Sequence, residues 1–64
     1  MEYLHYINLS LKEKVNYITN IILNWFHAGV KDKKDIIREL MLNSNNDPEV
    51  LKISQLVLAQ LEAR

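Results

Sequence analysis

A chain of 64 residues with eight basic and eight acidic side chains has no net charge, so it carries no global attraction to nucleic acid or to an anionic membrane. It is long enough for one domain, and a body this small buries only about 60% of the surface its unfolded form exposes. With no cysteine, disulfides and thiolate chemistry are excluded, and helix packing or a partner must supply the missing staple.

Residues 1–9 hold Tyr3, Leu4, Tyr6, Ile7 and Leu9. The spacing of Tyr3, Leu4 and Ile7 suits a short helical turn, so an apolar arm or stub helix that docks on something is expected. Ser10-Leu11-Lys12-Glu13 reads as a capping box. From there Leu11, Val15, Ile18, Ile22 and Trp25 recur at helical spacing, and Tyr17, Ile21, Leu23, Phe26 and Ala28 widen the stripe. Gly29 stands where a helix C′ residue takes positive φ. The first long helix is therefore predicted over Leu11 to Ala28. The charge-free run Asn16 to Val30 is too short and too polar to span a bilayer.

Val30 and Lys31 form the link. Asp32 caps a second helix, with Asp35 in its first turn, where the helix dipole favours an acid. Its apolar positions are Ile36, Ile37, Leu40 and Met41, and the run Asn43 to Asn46 ends it, giving about Lys33 to Leu42. Asp47-Pro48-Glu49 supplies an N-cap, a proline at N1 and a first-turn acid. The last helix then runs through Val50, Leu51, Ile53, Val57, Leu58 and Leu61 to the chain end, with Leu56 on its other side.

The expected fold is all-α: a three-helix domain, 1–64, with an N-terminal apolar stub. An apolar fraction of 48% is high for so small a body. It reads as surface meant for a partner, and with no other staple at hand that partner is first another copy, giving a homodimer. The plainer alternative is a compact monomer with ordinary exposed Leu and Ile. The candidate dimer contacts are Val15, Ile18, Ile22, Trp25, Phe26 and Leu56, with Trp25 expected largely in the intramolecular core and large rings serving as anchors.

No constellation for chemistry stands out. Gly29 is the single glycine, so no Gly-rich loop cradles phosphate. His27 and Asp32 are separated by a turn and have no third member, and a His beside Trp25 and Phe26 at a helix end reads as a packing or capping residue. His5 and His27 lack carboxylate partners for a metal. No catalytic, cofactor or metal residue is assigned, and the chain is expected not to be an enzyme.

Lys31, Lys33, Lys34 and Arg38 form the one basic cluster, interrupted by Asp32 and Asp35. Cations at a helix N-terminus oppose its dipole, which points to an anionic partner, either DNA phosphates or an acidic protein surface. A solvated helix face is the plainer reading. No basic leader precedes a small-residue cleavage site, so the expected location is the cytoplasm.

The order of features resembles a family. The stub at Tyr3-Leu4 and Tyr6 precedes a capped helix containing Ile18-Thr19-Asn20-Ile21-Ile22-Leu23-Asn24. Gly29 and Val30, the lysines and Asp35-Ile36-Ile37-Arg38-Glu39-Leu40 follow, then a polar gap and a last helix through Leu51, Leu58 and Leu61. This pattern resembles the AriR/YmgB family of small connector proteins, which includes YcgZ and YmgA. The resemblance implies an all-helical homodimer that regulates biofilm formation, acid resistance or two-component signalling through a protein partner or DNA. A second, local resemblance, over Asn46 to Gln55, is to the aspartyl-phosphate phosphatases that regulate sporulation in Bacillus. That family continues with two acidic residues among those after Ser-Gln, where this chain has Leu56-Val57-Leu58. The departure removes the chemistry and leaves at most a response-regulator binder.

Overall fold

Three side chains start the three long helices. In the computed structural model, which describes residues 1–63, Ser10 accepts from the Glu13 amide at 3.3 Å and the Glu13 carboxylate accepts from the Ser10 amide at 3.0 Å, completing the capping box. Asp32 accepts from the Lys34 amide and Asp47 from the Glu49 amide, at 2.9 and 2.8 Å. Each bond satisfies an amide that the helix itself leaves free. The resulting elements are α1 (Tyr3–Tyr6), α2 (Leu11–His27), α3 (Lys33–Asn43) and α4 (Pro48–Glu62), with no strand among the described residues. The all-α class and the element order are as predicted. The predicted continuation of α4 to Arg64 lies outside the described residues.

The helix ends also follow from local chemistry. Gly29 adopts φ +91°, its amide donates to the Phe26 carbonyl, and the Val30 amide donates to the Trp25 carbonyl at 2.9 Å. This is a Schellman ending, which turns the chain back so that Val30 lies against the side of Trp25. At the end of α3, Asn45 and Asn46 take φ of 53° and 59°, and the Asn46 amide donates to the Met41 carbonyl. Asparagine tolerates that left-handed geometry better than most residues, which is why the polar run works as a stop.

α4 is the central helix. It packs against α2 on one side and α3 on the other, while α2 and α3 meet only weakly. The core is Tyr6, Ile18, Ile22, Ile36, Leu40, Val50, Ile53, Val57 and Leu58, with Trp25, Phe26, Ile37, Met41 and Leu61 packed around it. Two serines lie within it. Ser54 donates to the Val50 carbonyl and Ser44 to the Leu40 carbonyl, so neither hydroxyl is left unpaired in an apolar setting.

The radius of gyration is 10.9 Å, against about 10.7 Å for a globular chain of this length. The accessible surface is 4540 Å², against about 4,300 Å² for an ordinary monomer of 7.6 kDa. The size and surface of the single chain are thus those of an ordinary compact globular domain.

Candidate binding surfaces

The N-terminal stub is fastened by aromatic side chains. Tyr6 is wholly buried, and its ring packs with those of Tyr3 and Tyr17, at centroid separations of 6.0 and 6.4 Å. Its hydroxyl donates to Glu49 at 2.7 Å, and the Tyr3 hydroxyl donates to Asp47 at 2.6 Å. Lys14 of α2 pairs with the same Glu49 oxygen at 2.9 Å and lies 5.2 Å from the centre of the Tyr6 ring. The Tyr17 hydroxyl accepts from the Glu2 amide, and the His5 ring meets Tyr17 edge-on. This network ties α1 to the first turns of both α2 and α4. From the sequence, Asp47 and Glu49 read as helix-start residues only; their second role, as acceptors for the tyrosines, had no sequence signal.

The network sets a pH dependence. The Lys14 ammonium and the Tyr6 hydroxyl hold Glu49 below the usual carboxylate range, and the Tyr3 hydroxyl does the same for Asp47. The Ser10 amide and hydroxyl lower Glu13. Burial and then the Glu49 bond raise the Tyr6 phenol, and the Asp47 bond raises Tyr3. Lowered carboxylates contribute stability that is complete above their unfolded values, near pH 4, and is lost as pH falls through the folded ones. Raised phenols contribute stability present below about pH 10 and lost above it. Melting temperature measured against pH is therefore expected to plateau between about pH 5 and 9 and to fall on both sides. In Tyr6→Phe the alkaline fall is expected to be shallower, and an unchanged alkaline limb would show that the Tyr6 phenol does not contribute.

The six candidate dimer contacts divide. Ile18 and Ile22 are 0% exposed and belong to the intramolecular core, so their assignment to a dimer contact is corrected. They sit at the centre of the α2 stripe, and α4 covers that line. Trp25 and Phe26 are half-buried at the C-terminal end of α2, packed against the core on one side, as expected for Trp25. Val15 remains at the edge, 37% exposed, and Leu56 points away from the core, 58% exposed. Leu11 and Leu23, at 66% and 37%, are also exposed on α2, Leu11 one turn before Val15, and were not among the candidates.

The basic cluster is partly consumed. Lys33 pairs with Glu62 across the α3–α4 groove, and Arg38 bonds Asp35 at 3.2 Å one turn earlier on α3. Lys31 and Lys34 are exposed with no ion-pair partner among the described residues.

Two surface clefts flank α3. One, of about 370 Å³, is lined by Lys33, Ile37, Gln55, Leu58, Ala59 and Glu62, and the Lys33–Glu62 pair lies at it. The other, of about 420 Å³, is lined by Trp25, Ala28, Val30, Asp35 and Glu39. His5 and His27 lie on different helices at opposite ends of α2, and no group of three or more His, Asp or Glu among the described residues is placed to hold a metal. No described helix is long and apolar enough to cross a membrane. In the segment 46–55, Ser54 is buried and bonded to its own helix, while Gln55 is exposed.

Fold and surface define a small all-α domain with a tyrosine-clasped N-terminal turn. No protein-family model, no curated protein and no solved structure matches the chain.

Proposed function

We propose that this chain is a non-catalytic regulatory protein that acts through protein contacts and associates with itself along the outer edge of α2. The observation that carries the reading is the pair Leu11 and Val15, one helical turn apart on α2 and left exposed beside a closed core, with Leu23 exposed two turns further on and about 80° round the helix. Leu56 adds an exposed apolar side chain on α4. Apolar side chains aligned on one helix edge bury against a like edge of a second copy, as helix pairs do when they associate. Support for a binder without chemistry comes from the buried polar groups: the hydroxyls of Tyr6, Ser44 and Ser54 are each spent on a structural bond. A connector role of the kind implied by the resemblance to the AriR/YmgB family is compatible with such a molecule. Phosphate binding by Lys31 and Lys34 is the weaker reading, because two free cations release few counterions and give a shallow salt dependence.

Sedimentation velocity at micromolar concentration tests the proposal. A dimer is expected, and Val15→Asp is expected to return it to a monomer with its helical content intact, since an exposed site tolerates a charge. A wild-type monomer across the micromolar range would overturn self-association.

A further inference from the structure

We propose that the cleft between the C-terminal end of α2 and the outer face of α3 receives an arginine side chain of a protein partner. This rests on the reading of the chain as a protein binder and names the chemistry of the partner's contact.

The cleft is built by the end of α2. The Schellman bond from the Val30 amide to the Trp25 carbonyl folds Val30 back, so the indole and the Val30 and Ala28 side chains form an apolar wall. The facing side carries Asp35 and Glu39, one helical turn apart on α3. The volume, about 420 Å³, is within the range of small ligand pockets.

The charges differ in availability. Asp35 already holds the Arg38 guanidinium, so this carboxylate accepts that group within the chain itself. The Glu39 carboxylate has neither an ion pair nor a side-chain hydrogen bond among the described residues. Asp35 is paired with Arg38, and Glu39 is the carboxylate of the cleft lining left without a partner among the described residues. The Trp25 indole N–H likewise has no acceptor among the described residues. An indole and an unpaired carboxylate lining one cleft suit a planar, weakly hydrated cation, because a guanidinium can both stack on an indole and donate to a carboxylate. A lysine ammonium is more strongly hydrated and lacks the flat surface. The cleft is open to solvent, so a side chain anchored by a partner's backbone fits it better than a free ion.

Trp25 is the single tryptophan of the chain, so its fluorescence reports directly on the cleft. The full chain would be titrated at low salt and pH 7 with the blocked peptide acetyl-Gly-Arg-Gly-amide and with its citrulline counterpart, which keeps the shape and loses the charge. A saturable fluorescence change is expected with the arginine peptide, and binding about tenfold weaker with citrulline, the order expected from losing an exposed cation–π contact and one ion pair. Glu39→Gln, an exposed substitution checked for folding by circular dichroism, is expected to weaken the arginine peptide several-fold; Glu62→Gln, outside this cleft, is expected to leave it unchanged. No saturable change, equal binding of the citrulline peptide, or wild-type binding by Glu39→Gln would each overturn the proposal. Self-association is read separately by sedimentation, so a dimer that ignores the arginine peptide would sink the cleft assignment alone.

Discussion

Tyr6→Ala is expected to unfold the chain at room temperature. The Tyr6 ring is wholly buried and is the point at which α1, α2 and α4 converge. Removing a buried aromatic ring costs about 3–5 kcal/mol, and a chain of this size has roughly 3–10 kcal/mol of stability in total. Loss of the ring also frees α1, whose four residues have no means of holding a helix without docking. The α2–α4 face beneath it would then meet water. Tyr6→Phe separates the ring from the hydroxyl. It keeps the packing and removes one bond to a half-exposed carboxylate that retains Lys14, so a loss of about 1 kcal/mol is expected. Thermal melts followed by far-ultraviolet circular dichroism check both. An alanine variant that melts like wild type would mean that α1 is not docked in solution.

The second large effect concerns Ile22. It is wholly buried between α2 and α4, so Ile22→Ala leaves a cavity and is expected to cost about 2–5 kcal/mol. For a domain this small each kcal/mol moves the melting temperature by about 4–8 °C. A core position predicts a loss that is the same at low and high protein concentration, because the bonds removed lie within one chain. A dimer contact predicts a loss that grows on dilution, since the partner's contribution follows mass action. Leu56→Ala provides the contrast: with an exposed side chain, it is expected to leave the stability of the monomer within about 0.5 kcal/mol of wild type. Melts at two concentrations about a hundredfold apart would distinguish the two positions, and a dilution-dependent Ile22→Ala would return Ile22 to the interface.

The helices and their ends were legible in the sequence because they depend on short-range chemistry. A hydroxyl or carboxylate three or fewer residues from the amide it caps, a proline at N1 and a glycine at C′ act within one turn, whatever the rest of the chain does. Ser10, Asp32, Asp47 and Gly29 therefore mark α2, α3 and α4 to within a residue or so of their observed bounds. The division of the wide apolar stripe of α2 was not legible. Periodicity places Val15, Ile18 and Ile22 on one side of a helix, but it does not say which of them a neighbouring helix covers.

That choice belongs to the tertiary structure. α4 covers Ile18 and Ile22 and leaves Leu11, Val15 and Leu23 exposed. The tyrosine clasp has the same origin: Tyr3 and Asp47, or Tyr6 and Glu49, lie more than forty positions apart and meet only once α4 has packed beside α2. The cleft at Trp25 needs both the Schellman turn, which is local, and the approach of α3, which is not. By itself the sequence determined the helices, their caps and the absence of a disulfide staple, because each depends on residue type at short separation. Which apolar side chains close the core, that α1 docks on α2 and α4, and where an open cleft remains were decided by packing, because contacts between distant segments depend on how whole helices fit together.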